Sequence, residues 1–235
     1  MSLSFSHLWK QQEHSDVDVV LWAPSQHSRD KLVLMKLPAH SALLSNSEVY
    51  RAKLLRWQED RDLSRRCSKY ARSSSTDCTA RTEIELELQD TSEQEAALAV
   101  LQSLYAVKPL PELLAELSQE QQLQAAVLAD KWAVPHISSA AAQLLVNAVK
   151  ADGGLATAVQ QRVLQDSVLP ECLQPVLKSV LLALLGDLEA VWADHRLQDT
   201  LLGLPLHAME LLLSCDELKV SVMSPLVCFI AMNTQ

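Results

Sequence analysis

The sequence predicts an α+β domain, a small sheet with clustered helical hairpins, followed by an all-α helical domain. Three observations lead there. Leu, Ala, Glu and Gln, all strong helix formers, dominate the 235 residues. Three short segments before residue 90 carry strand patterning. After Asp152-Gly153-Gly154 every remaining segment has helical periodicity, punctuated by Pro170, Pro175, Gly186 and Pro205, which sets a domain boundary near residue 150.

Composition narrows the function classes. Hydrophobic residues make up 49% and charged residues 21%, the balance of a chain that folds. Only 4 glycines occur, so the glycine-rich phosphate cradles of dinucleotide-binding and P-loop folds are not expected. A formal net charge of −9 argues against nucleic acid or an anionic membrane as partner and leaves proteins as the default. Cys67, Cys78, Cys172, Cys215 and Cys228 are odd in number and irregularly spaced, with no signal peptide ahead of them. They read as reduced thiols of a cytoplasmic or nuclear protein. The longest strongly apolar stretch, Ser179 to Gly186, is under half the ~20 residues of a membrane-spanning helix and reads as a buried helical segment.

Taken in order, Asp16 to Trp22 places Val17, Val19 and Leu21 on one face and suits a half-buried strand. Leu32 to Lys36 follows polar turn residues, so the two form a hairpin that ends at Leu37-Pro38-Ala39-His40. Ser47 is an N-cap before Glu48 to Trp57, where Tyr50, Leu54 and Trp57 recur at i, i+4 and i+7. Residues 61–81 hold six basic residues against Asp62 and Asp77, with three consecutive serines, and read as a solvated, disordered insertion. Thr82 to Gln89 alternates strictly, Ile84, Leu86 and Leu88 inward and Glu83, Glu85 and Glu87 outward on a solvated face. Ser92 and Glu95 have capping-box spacing ahead of Leu98, Leu101 and Tyr105. Pro109 and Pro111 break that helix; a second runs to about Ala133 with Leu123, Val127 and Leu128 inward, and Pro135 precedes a third.

The signposts Asp16-Val17, Ala39-His40, Ser47 with Tyr50, Leu104-Tyr105 and Ala129-Asp130-Lys131-Trp132-Ala133-Val134, in this order, resemble the BTB/POZ domain over about residues 14–148. Residues 150–221, with Leu204-Pro205-Leu206 and the segment to Val220, resemble an incomplete BACK domain. Ser92 to Leu98 and the Leu-Pro-Leu element are most similar to plant and green-algal light-response BTB/BACK adaptors. The order of many weak motifs carries this, since independent elements agree.

The resemblance implies a homodimer formed through apolar helical surfaces. It also implies a substrate adaptor of a cullin-3 ubiquitin ligase that presents a captured substrate protein. The family's cullin-contacting hydrophobic-x-Glu element corresponds to Trp57-Gln58-Glu59, so the expected contact surface is Tyr50, Leu54, Trp57, Gln58 and Glu59. The alternative is a self-associating scaffold or transcriptional cofactor without cullin binding. Three departures bear on this. Ser41 stands after His40 where the family commonly has a basic residue, which removes the charge pair with Asp16. Only Met1 to Glu13 precede the first strand, so a swapped N-terminal strand is not expected. The tail 222–235 departs from the family pattern and resembles an altered or prematurely ended sequence.

No catalytic constellation stands out. The histidines at 7, 14, 27, 40, 136, 195 and 207 lack His-x-x-x-His spacing, and no Cys-x-x-Cys or Gly-x-Ser-x-Gly occurs. No metal, cofactor or enzyme activity is expected. His40 reads as a structural residue at the strand-to-helix turn, its ring bonded to backbone.

Overall fold

The computed structural model describes residues 5–25, 31–56, 81–152, 155–165 and 169–219. Trp57, Gln58, Glu59, the segment 61–80 and the tail 222–235 lie outside the described residues. Among the described residues the protein is α+β, about 62% helix with one three-stranded mixed sheet. It divides into two units, Met1–Ala141 and Ala142–Gln235.

The sheet has β1 (Val17–Pro24) at its centre, between β2 (Lys31–Ala39) and β3 (Thr82–Glu87). β1 and β2 form the expected hairpin, antiparallel from Val17 opposite Ala39, with a bulge between Leu21 and Trp22. β3 runs parallel to β1, Val19 beside Ile84 and Leu21 beside Leu86. The strict alternation of β3 is realised: Ile84, Leu86 and Leu88 are buried while Glu83, Glu85 and Glu87 are exposed.

The half-buried reading of β1 is corrected. Asp18 and Val20, on the face opposite Val17, Val19 and Leu21, are buried too, because a central strand has neighbours on both sides. Burying a carboxylate costs several kcal/mol unless it is paired. Asp18 is met by Lys36 at 3.2 Å and Arg81 at 3.7 Å. The acidic row on β3 is likewise answered from the far edge, Lys36 to Glu83 at 2.6 Å and Lys31 to Glu85 at 2.5 Å. The lysines and the β3 glutamates are half-exposed, so solvent screens these pairs and each contributes little.

Helices of the first unit begin with α1 (Ser41–Leu44) and α2 (residues 48–56) between the hairpin and β3. After β3 come α3 (Gln94–Leu104), α4 (Leu110–Ala115), α5 (Gln119–Lys131) and α6 (Pro135–Asp152). The cap ahead of α3 differs from the expected Ser92 and Glu95. Asp90 accepts from the Ser92 N–H at 2.7 Å, and the buried Glu93 accepts from the Gln89 N–H at 2.8 Å. The Ser92 hydroxyl instead accepts from Gln124 on α5 at 3.0 Å.

Prolines 109 and 111 do not break α3. That helix has already ended at Ala106, whose φ of 48° lies in the left-handed region, with the Val107 N–H reaching back to the Gln102 carbonyl at 3.3 Å. Pro111 opens α4, in the first turn, where its missing N–H costs nothing. Helix α5 starts with a full capping box, Ser118 with Gln121, and ends in the same fashion as α3. There Ala133 has φ 52° and the Val134 N–H bonds the Ala129 carbonyl at 2.7 Å.

The second unit is helical among its described residues: the end of α6, then α7 (Thr157–Gln165), α8 (Gln174–Leu185), α9 (Leu188–Ala193), α10 (His195–Leu202) and α11 (Leu206–Leu213). Helix α8 contributes Val176, Leu177, Val180, Leu181 and Leu185 to the core. Asp187 caps α9 through the Glu189 and Ala190 N–H groups, and Asp194 caps α10 through that of Arg196. Gly186 ends α8 where a Cβ would come within 2.3 Å of the Leu182 carbonyl oxygen. Its own carbonyl accepts from the Lys219 N–H at 2.8 Å, tying the chain after α11 back to the start of α9.

Candidate interaction surface

Residues far apart in the sequence meet at the junction of the hairpin, α1 and α3. The His40 backbone N–H donates to the Tyr105 hydroxyl at 2.9 Å, and the His40 Nδ1 lies 3.3 Å from that hydroxyl. Its Nε2 is 3.2 Å from the Glu13 carbonyl oxygen. A carbonyl can only accept, so Nε2 carries the proton and Nδ1 accepts from Tyr105. Burial raises the Tyr105 pKa, partly offset by the His40 amide, with the Asp16 charge raising it further. His40 thus holds the turn as expected, through its ring and amide, although its side chain does not cap α1.

Asp16 finds Ser41. Its carboxylate accepts from the Ser41 N–H at 2.8 Å and, more closely, from the Ser41 hydroxyl. These two hydrogen bonds to a neutral residue fix the start of α1. With both ring nitrogens of His40 engaged and Asp16 bonded to Ser41, this cluster positions backbone.

The second junction is built by Ser47, which is fully buried. Its hydroxyl donates to the Trp132 carbonyl at 2.5 Å and accepts from the Tyr50 N–H at 3.4 Å, the expected N-cap of α2. Tyr50 and Trp132 lie with ring centroids 6.2 Å apart.

Of the expected contact residues, the structure describes Tyr50 and Leu54. Tyr50 is 0% exposed and Leu54 7%, so both face the core, as the i, i+4 stripe that carries them must on a helix packed against the sheet. Burial alone pushes the Tyr50 pKa well above its ordinary value. The outward side of α2 is Glu48, Arg51, Ala52, Lys53, Leu55 and Arg56. Leu55 is 54% exposed. It lines, with Asp16, Ser41, Ser45 and Arg51, an open cavity of about 230 Å³.

Two lysines escaped the sequence reading. Lys53 on α2 donates to the Glu85 carbonyl at 2.8 Å, and Lys131 at the end of α5 donates to the Glu87 carbonyl at 3.0 Å, both on β3. Charged residues on exposed helix positions give no sequence signal of where their long stems reach.

Among the described residues no group of three or more His, Cys, Asp or Glu side chains could hold a metal ion, and no helix is long and apolar enough to cross a membrane. Compared with known proteins, the chain matches no family model, no curated protein and no solved structure.

Proposed function

We propose that the protein is a non-enzymatic interaction module: a self-associating BTB-like unit followed by a partial BACK-like unit, acting as a substrate adaptor for a cullin-3 ubiquitin ligase. The observation that supports this most is the convergence of the signposts on which the resemblance rests. His40 binds Tyr105, and Ser47 joins Tyr50 to Trp132. Residues separated by up to 85 positions act as one framework, as motifs of a single domain should.

Within this reading the cullin contact comprises the outward side of α2, with Leu55, together with Trp57, Gln58 and Glu59. An exposed leucine flanked by polar residues is the usual makeup of a contact centre. Tyr50 and Leu54 support that helix from beneath.

Pull-down of purified cullin-3 with the full chain tests the proposal. Leu55→Asp should weaken capture while leaving thermal unfolding within a few degrees, because surface substitutions usually cost under about 0.5 kcal/mol, and Trp57→Ala and Glu59→Ala should weaken it in variants whose thermal unfolding matches that of the unsubstituted chain. Capture unchanged in all three folded variants rejects this surface. A homodimer that never captures cullin-3 favours the scaffold or cofactor alternative.

A further inference from the structure

β3 is an edge strand: among the described residues nothing pairs with its side away from β1. Along a strand, the N–H and C=O of one residue point to the same side and those of the next to the opposite side. The Leu88 N–H goes to Trp22 of β1, whereas the Glu85 and Glu87 carbonyls go outward to Lys53 and Lys131. The Glu85 and Glu87 amides therefore face outward as well, and find no acceptor among the described residues.

They open into a groove of about 640 Å³ between β3, α2 and the end of α5. Lys53, Arg56 and Lys131 line it, together with Leu54 and Trp132. Every outward carbonyl named above is already taken by a lysine, so the groove offers donors: two strand amides, the remaining N–H bonds of two ammoniums, and a guanidinium. Of the three glutamates that also line it, Glu83 and Glu85 turn to Lys36 and Lys31, which leaves the exposed Glu87 against the three cations. Burial lowers the Lys53 pKa, and the neighbouring Lys131 lowers it further against the opposing pull of Glu85. A partly desolvated ammonium beside a second one is stabilised by an added anion.

We propose that this groove captures an acidic, extended segment of a partner protein, which lies along β3 with its carbonyls on the Glu85 and Glu87 amides and its carboxylates on Lys53, Arg56 and Lys131. Strand addition to an open edge supplies the backbone bonds, and alternate side chains supply selectivity. A basic segment would meet three cations. The inference rests on the interaction-module reading only in that the occupant is a protein; it requires neither cullin-3 nor a dimer.

The probe is a fluorescein-labelled nine-residue peptide of alternating glutamate and valine, titrated into the full chain beside the same peptide with lysine for glutamate. The glutamate peptide should bind and the lysine peptide should not. Lys53→Gln with Lys131→Gln should weaken binding at least about tenfold, the scale expected when charge-assisted hydrogen bonds are removed. Hydrogen exchange at the Glu85 and Glu87 amides, read by NMR, should slow at least tenfold on adding the peptide, a readout that needs no variant. Equal binding of both peptides, affinity unchanged in the double glutamine variant, or unaltered exchange at the two amides overturns the proposal. Cullin-3 capture measured in the same samples separates the outcomes: peptide binding lost with capture retained sinks this site alone, and the reverse sinks the adaptor reading alone.

Discussion

The two units are held together by different chemistry. In the first, side chains distant in sequence bond to one another or to backbone: His40 to Tyr105, Asp16 to Ser41, Ser47 to Trp132, Gln124 to Ser92. In the second, buried Val and Leu of α7 and α8 form the core, Asp187 and Asp194 each cap the helix that follows, and the distant polar ties are the exposed Lys178–Glu217 pair and backbone bonds of Lys219. Polar junctions add directional specificity that apolar packing lacks, at the risk of a heavy penalty when one partner is lost. A unit that must present a defined surface gains from that specificity.

The comparison can be broken by substitution. The largest expected effect is in the second unit, where Leu181→Ala removes a fully buried side chain and should cost about 2–5 kcal/mol by denaturant unfolding. If it costs under about 1 kcal/mol, the apolar account of that unit fails. In the first unit Ser47→Ala leaves the Trp132 carbonyl and the Tyr50 amide without their bonds, at a cost of about 1–3 kcal/mol. A smaller loss would place the specificity elsewhere.

Tyr50→Phe sharpens the same point with the opposite sign. The Tyr50 hydroxyl is buried with no partner among the described residues, so removing it should be neutral or gain up to about 1–2 kcal/mol. There is a pH signature. The folded state raises the Tyr50 pKa above its ordinary value of 10.0, so its contribution is fully present below pH 10 and is lost as pH rises from there toward the folded value. The stability of the unsubstituted protein should fall more steeply above pH 10 than that of Tyr50→Phe; parallel curves would contradict the burial of this group.

The smallest effect is expected at the helix ends. Ala133 adopts a left-handed backbone conformation that costs an alanine about 1 kcal/mol, so Ala133→Gly should raise the melting temperature slightly. A decrease would mean that the Ala133 side chain contributes packing that outweighs the strain.

These helix ends also show where the sequence could and could not be read. β3 was legible because an edge strand with one solvated face alternates strictly, and the α2 cap was legible because Ser47 precedes an i, i+4 stripe. The burial of Asp18 was not, since its compensation comes from Lys36 on β2 and Arg81 just before β3. The ends of α3 and α5 were hidden because the chain places Ala106 and Ala133 where glycine would normally announce a stop. The prolines were misread for the same reason: with no glycine marking the ends, Pro111 looked like a breaker when it opens the next helix. Of the candidate site, His40 was legible as a turn residue and Asp16 as the start of the first strand, but the direction of Tyr50 and Leu54 followed from a helix packing against a sheet that the stripe alone does not orient.

The central claim is that this framework exists to bring proteins together, and the mass of its assemblies in solution tests it most directly. Light scattering of the full chain at micromolar concentration, alone and mixed with purified cullin-3, should give twice the 26.0 kDa chain mass alone and a larger complex containing two copies of each protein when mixed. A chain that stays monomeric across the concentration range and leaves the mass of cullin-3 unchanged would contradict the account.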